Sequence, residues 1–215
     1  MNKLLLKTAT LLCLLANLAL AQKYEVSPLV SYPRWGREGL GSLNDTNNKD
    51  TDTQIRGRLG YGIRLTLNTP GYYGHEIGYI LNDATFRTDI VTTEGRTTRT
   101  TRYEDKVKVQ QAFYNFLLYM MPAGERIRPF IAVGAQLYQY GAPRILNFDV
   151  GQTRNYGANY GAGVKFKLIE HLNVRMDFRH YIGGKPYDLK FANERAAGGG
   201  LINQFEGSMG FSITF

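Results

Sequence analysis

Few side chains in this sequence are of a type and spacing that could do chemistry. His75, His171 and His180 are too dispersed to hold a metal at any recognisable ligand spacing. The one cysteine, Cys13, lies in an apolar run near the start. His180 is the residue that invites an enzymatic reading, because a histidine beside a serine can act as the base that activates it. The segment reads His180-Tyr181-Ile182, and no serine follows at short range. Gly198-Gly199-Gly200 would cradle a phosphate only at the head of a helix, and no helical pattern follows it. Arg96, Arg99 and Arg102 alternate with threonine, a stretch that suits phosphates or an acidic surface partner. A solvated hairpin extension has the same composition and is the preferred reading.

The remaining charges make sense once the elements that carry them are traced. Ile55, Gly57, Leu59, Tyr61, Ile63, Leu65 and Leu67 share one parity, and Arg56, Arg58, Arg64 and Thr66 share the other. Period two over such a span predicts a strand with one apolar and one polar face. Similar alternation predicts strands at Tyr24 to Tyr32, Tyr73 to Thr85, Val107 to Met121, Arg128 to Tyr140, Tyr156 to Leu168, Leu172 to Ile182 and Gln204 to Phe215. Eight strands result. Short turns at Asn68 to Tyr72, Met121 to Ile127 and Ile169 to His171 alternate with long polar connections at Pro33 to Asp52, Phe86 to Lys106, Gly141 to Asn155 and Gly183 to Asn203. Pro28 inside the first strand predicts a bulge or a later start, since it cannot donate to a ladder.

Alternating short and long connections are the pattern of an all-β, up-and-down antiparallel transmembrane β-barrel. With apolar faces turned to lipid, Arg56, Arg58, Arg64, Glu76, Arg175, Asp177 and Arg179 form an interior ion network, joined by Glu25, Asn115, Lys165, Lys167 and Glu206. An eight-stranded barrel is just wide enough for such side chains to fill it, which argues for a plug over a narrow channel. A turn centred on Pro70 sets Arg64 opposite Glu76. Around Ile169 to His171, two centrings place either Asp177 or Arg175 opposite Lys165. The surplus of cations predicts that Arg56 and Arg179 reach water. A soluble, lipocalin-like barrel would invert this arrangement, with an apolar interior.

The start of the chain agrees with export. Lys3 and Lys7 precede an apolar run closing on Ala19-Leu20-Ala21, which reads as a signal peptide spanning residues 1 to 21 and cleaved before Gln22. Residues 22 to 215 then form one domain without cysteine. Removing the two leader lysines lowers the formal charge from +8 to +6. Nucleic acid is not an expected partner, because export removes the chain from it and no recognition motif accompanies the charge.

At the other end, Ser208-Met209-Gly210-Phe211-Ser212-Ile213-Thr214-Phe215 alternates small or polar residues with apolar ones and stops on an aromatic residue. Together with Arg128-Pro129-Phe130, Gly134 and the glycines of Gly157 to Gly163, it resembles the small eight-stranded outer-membrane barrels of the OmpA/OmpX type. The resemblance covers the whole mature chain. It implies residence in the outer membrane of a Gram-negative-type bacterium, among outer-membrane lipids and lipopolysaccharide. It also implies a C-terminal signal, carried by Ser208, Gly210, Phe211, Ile213 and Phe215, read by the outer-membrane barrel assembly machinery. No further C-terminal domain for gripping the cell wall follows in the sequence. Lipid A deacylases are similar barrels in which a histidine is followed two residues later by serine and is oriented by a carboxylate. At His180 this sequence departs from that pattern, which leaves a lipid A-modifying enzyme as the alternative reading and a non-catalytic protein, with a structural or surface-interaction role and an unknown extracellular ligand, as the main one. No cofactor is implied. His180 is then an interfacial residue in an aromatic girdle beside Phe178 and Tyr181.

Overall fold

In the computed structural model, the described residues are 23–36, 48–50, 53–144, 148–149, 154–187, 190–191 and 201–215. The leader, Cys13 and the triple glycine lie outside them. Eight long strands form the wall: β1 (Lys23–Trp35), β2 (Gln54–Asn68), β3 (Tyr73–Glu94), β4 (Thr97–Tyr119), β5 (Ile127–Tyr140), β6 (Arg154–Ile169), β7 (Leu172–Gly184) and β8 (Leu201–Thr214). Each is antiparallel to its sequence neighbours, and β1 also pairs with β8, so the sheet closes. Closure gives every strand a partner on both sides, the condition for holding backbone polar groups in hydrocarbon. Short two-stranded pairings add residues 48–50 to β3 and join 148–149 to 190–191.

The two faces differ as the alternation requires. Outward positions include Tyr24, Val30, Tyr32, Tyr61, Ile63, Leu65, Ile77, Tyr79, Phe116, Ile131, Met176, Phe178, Met209, Phe211 and Ile213, all exposed. Inward positions include the buried Glu25, Arg64, Glu76, Asn115, Lys165, Arg175, Asp177, Arg179 and Glu206. A soluble barrel would have these faces reversed. On β1 the apolar face ends at Tyr32, and the exposed Arg34 follows.

Four details depart from expectation. The segment from Phe86 to Lys106 is strand almost throughout: β3 and β4 continue as a hairpin to Glu94 and Thr97, joined only by Gly95 and Arg96. Gly95 has φ 62°, which a two-residue hairpin turn requires and glycine supplies at least cost. Pro28 causes neither a bulge nor a late start: the ladder to β8 passes from Val26–Ile213 to Leu29–Gly210 in unchanged register. A Cβ at Gly210 would stand 2.2 Å from the Pro28 carbonyl oxygen, so glycine here admits the close approach of the two strands.

The other two departures concern register. β2 carries a bulge between Gly57 and Gly60, so parity reverses above it. Ile55 is buried, whereas Arg56 and Arg58 are exposed; neither arginine joins the interior network. The physical reason is visible at the same level, where Trp35, Phe86 and Tyr138 fill the lumen and leave no partner for a guanidinium. The β2–β3 turn is centred one residue later than Pro70, which sets Thr66 opposite Glu76 and Arg64 opposite Gly78.

Candidate functional site

The barrel lumen is occupied in three layers. The middle layer is built by Arg64 from β2, Glu76 from β3, and Arg175, Asp177 and Arg179, which share one face of β7 by strand alternation. Arg64 Nη1 donates to Asp177 Oδ2 at 2.8 Å, and its Nη2 donates to Ser208 Oγ at 2.7 Å. Arg175 binds Asp177 through Nε at 2.9 Å and Nη2 at 2.8 Å, and its Nη1 lies 2.5 Å from Glu76 Oε2. Arg179 Nη2 donates to both Glu76 Oε1 and Asp177 Oδ1 at 3.0 Å. Asn115 Nδ2 and Thr66 Oγ1 complete the shell around Glu76, at 3.1 Å and 3.4 Å. The five ionic side chains are at most 1% exposed, a depth at which charges persist only when paired and hydrogen-bonded. Glu206 adds a third buried carboxylate, accepting from Gln204 Nε2 at 3.2 Å and Tyr181 Oη at 3.4 Å.

Arg179 is therefore buried and ion-paired through Nη2 and does not reach water, while its Nε and Nη1 have no hydrogen-bond partner among the described residues. Arg64 finds its carboxylate on β7, across the lumen, and not on Glu76. Lys165 stands opposite Arg175 in the ladder, and its own ion-pair partner is Glu25 of β1. This Glu25–Lys165 pair forms the layer nearest the short turns, with Asn68 and Tyr119 hydrogen-bonded around it. Arg128 lies 3.5 Å from the centre of the Tyr119 ring and donates to the carbonyls of Met121 and Gly71, tying two of the short turns together.

The third layer was not legible as a site in the sequence. Near the long-connection end, Trp35, Ile55, Phe86, Tyr138, Tyr140, Tyr181, Tyr187 and Ile202 pack into an apolar cap inside the barrel. Tyr187 Oη donates to the Gly141 carbonyl at 2.6 Å. The available signal was the inward parity of Tyr138 and Tyr140. The same parity places Tyr181 in the lumen, not in an outer aromatic girdle beside His180.

Beyond this cap, the β3–β4 hairpin rises clear of the apolar belt. Its outward Asp89 accepts from Arg102 at 2.8 Å and 3.0 Å and from Arg87 at 3.0 Å. The hydrogen bonds from Arg102, then Arg87, hold the Asp89 carboxyl well below the usual carboxylate range. Of the three sequence-predicted arginines, Arg102 is thus committed to the hairpin, while Arg96 and Arg99 are exposed at or near its tip.

His180 faces outward. It hydrogen-bonds Tyr160 Oη at 2.8 Å through Nδ1 and Asn203 Oδ1 at 3.1 Å through Nε2, and it stacks on Phe205 with ring centres 4.4 Å apart. His75 contacts Tyr114 Oη and His171 contacts the Thr214 carbonyl, far from one another in the fold. Among the described residues no group of histidines and carboxylates has metal-binding geometry. Of the C-terminal residues, Phe211, Ile213 and Phe215 are exposed on the outer face and Ser208 is buried in the lumen.

Comparison with known proteins agrees with this architecture. The family model for the outer membrane protein β-barrel domain matches residues 8–210. No curated protein sequence matches significantly. Among solved structures, the outer membrane protein OprG from Pseudomonas aeruginosa aligns with a TM-score of 0.58 at 11% identity, covering 91% of this chain and 96% of that one. Neisserial surface protein A aligns with a TM-score of 0.55 at 12% identity, covering 89% and 97%. The outer membrane protein AlkL, solved in lipid bilayers, aligns with a TM-score of 0.52 at 14% identity, covering 90% of each chain. At these identities the likeness is one of fold.

Proposed function

Because the chain belongs to the outer membrane β-barrel domain family and so resides in the outer membrane of Gram-negative bacteria, we propose that it is a non-catalytic surface protein whose closed barrel holds an extracellular hairpin and loops for contact with a partner. The observation that carries this reading is the filling of the lumen. Paired ions at mid-height and an apolar cap above them leave the barrel as a rigid support, while the ordered β3–β4 hairpin stands outside the belt. A channel would need the lumen open. An acyl ester hydrolase at His180 would need a nucleophile and an orienting carboxylate, and the contacts of that ring are a phenol, an amide and an aromatic face.

In this reading the tip arginines Arg96 and Arg99 meet an acidic partner, and Arg102 keeps the hairpin straight. The leader of residues 1 to 21 delivers the chain for export, and the outward Phe211, Ile213 and Phe215 with Ser208 and Gly210 serve as the signal to the barrel assembly machinery. The experiment is adhesion of expressing cells to a surface coated with dextran sulfate, comparing wild type with Arg96→Gln/Arg99→Gln. Adhesion falls in the variant if the tip is the contact. Unchanged adhesion at equal surface expression refutes the tip as the contact for an anionic partner.

A further inference from the structure

The lipid-facing wall lacks a side chain at one rung. Gly207 of β8 shares the outward parity of Phe205 and Met209, and a Cβ built on it would meet nothing within 4 Å. Its ladder neighbours are Tyr32 of β1 and Phe178 of β7, each 59% exposed. These strands are two spacings apart, roughly 10 Å between backbones, so the two rings bound a slot floored by the Gly207 backbone. One rung toward the short turns, Val30 and Met209 line the same groove, which continues to Met176. In the other direction it opens into a cavity of about 1090 Å³ bordered by Phe205, Arg34 and Arg56.

Those arginines stand where the apolar face of the wall ends. Arg34 follows Tyr32 on the outward face of β1, and Arg56 is turned outward by the bulge in β2. Arg56 donates to Gln54 Oε1 at 3.2 Å, and neither arginine pairs with a carboxylate among the described residues. The groove therefore has a vertical order: an apolar, aromatic-walled slot within the membrane and two guanidiniums at the extracellular boundary. A polymethylene chain gains dispersion contact in the slot. A phosphate matches the guanidiniums in charge and in hydrogen-bond geometry. A lipid of the inner leaflet has the opposite orientation and would carry its phosphate to the level of Tyr24 and Leu67.

We propose that this groove binds one phosphorylated, multiply acylated lipid of the outer leaflet, the lipid A moiety of lipopolysaccharide, with an acyl chain over Gly207 and a phosphate on Arg34 and Arg56. The site rests on the membrane placement of the barrel and not on the hairpin reading, so either can fail without the other.

Native mass spectrometry of the folded protein released from detergent provides the test, with bisphosphorylated lipid A, the same lipid A stripped of phosphate, and phosphatidylglycerol as probes. Bisphosphorylated lipid A binds about ten-fold more tightly than the stripped form, as expected for charge-assisted contacts to a phosphate. Arg34→Gln/Arg56→Gln erases that difference, and Gly207→Leu weakens both lipid A forms. The arginines are exposed, so the double variant folds as wild type and decides the question even if Gly207→Leu does not assemble. Wild-type affinity for bisphosphorylated lipid A in the double variant overturns the site. Equal retention of phosphatidylglycerol and lipid A by the wild type overturns it as well, since any boundary lipid would then suffice.

Discussion

Asp177 accepts hydrogen bonds from three arginines, Arg64, Arg175 and Arg179, and among the described residues no other lumen carboxylate joins so many cations. Removing its charge leaves the surrounding guanidiniums under-compensated in a site that water does not reach. Asp177→Asn should lower stability by about 3 to 5 kcal/mol, the range for breaking one partner out of a buried ionic cluster. Urea unfolding of the protein in vesicles measures it. Arg58→Ala, an exposed residue at the bulge, should stay within about 0.5 kcal/mol of wild type in the same assay. The contrast matters because alternation gives these two positions the same inward reading. Similar parity in the sequence conceals opposite environments.

The elements divide by what closes them. Most wall strands are held on both sides by ladders, but the outer half of β3 and β4 stands beyond the belt and relies partly on outward contacts such as Asp89 with Arg87 and Arg102. The folded-state pKa of Asp89 is depressed, so its contribution is fully present above the unfolded value near 3.9 and is lost as pH falls through the lower folded value. The amide spectrum of Thr88 to Tyr103 should therefore be unchanged from pH 7 to 5 and should broaden toward pH 2, reported by NMR of the protein in nanodiscs. Asp89→Asn should bring that loosening to neutral pH, while Gly95 keeps the turn itself intact. The β2 bulge acts in the other direction: one added residue moves Arg56 to water and Ile55 into the cap, which a continuous period of two cannot do. The β-bulge and the hairpin are both invisible to a pattern that counts only apolar and polar positions. Threonine and arginine in the hairpin read equally well as loop.

For the whole molecule, the stacked layers predict a barrel that does not conduct. Planar-bilayer recordings of the purified wild type should show no steady ohmic pore, because the ionic layer and the apolar cap each span the lumen; a stable open conductance would show that one of them yields. The apolar belt, the charged rim and the groove at Gly207 also appear only at this scale, since they are assembled from strands at opposite ends of the chain: β1 and β2 meet β7 and β8 through the ladder that closes the sheet.

What the sequence determined by itself follows from local geometry. Side chains on a strand alternate, so strand number, the lipid and lumen faces below the bulge, the short-turn positions and the inward placement of Glu25, Arg64, Glu76, Asn115, Lys165, Arg175, Asp177, Arg179 and Glu206 were all readable from neighbouring residues. The partners of those charges were not. Arg64 meets Asp177 across 113 residues of sequence, and Lys165 meets Glu25 across 140, because the lumen is narrow enough for side chains on non-adjacent strands to touch. A turn brings only adjacent strands together, so pairing across the β2–β3 turn predicts Arg64 with Glu76, whereas the lumen joins Arg64 to Asp177. Ring closure and a one-residue bulge, both properties of the assembled sheet, decided which charges pair, which arginines leave the lumen, and where the outer wall has room for a lipid chain.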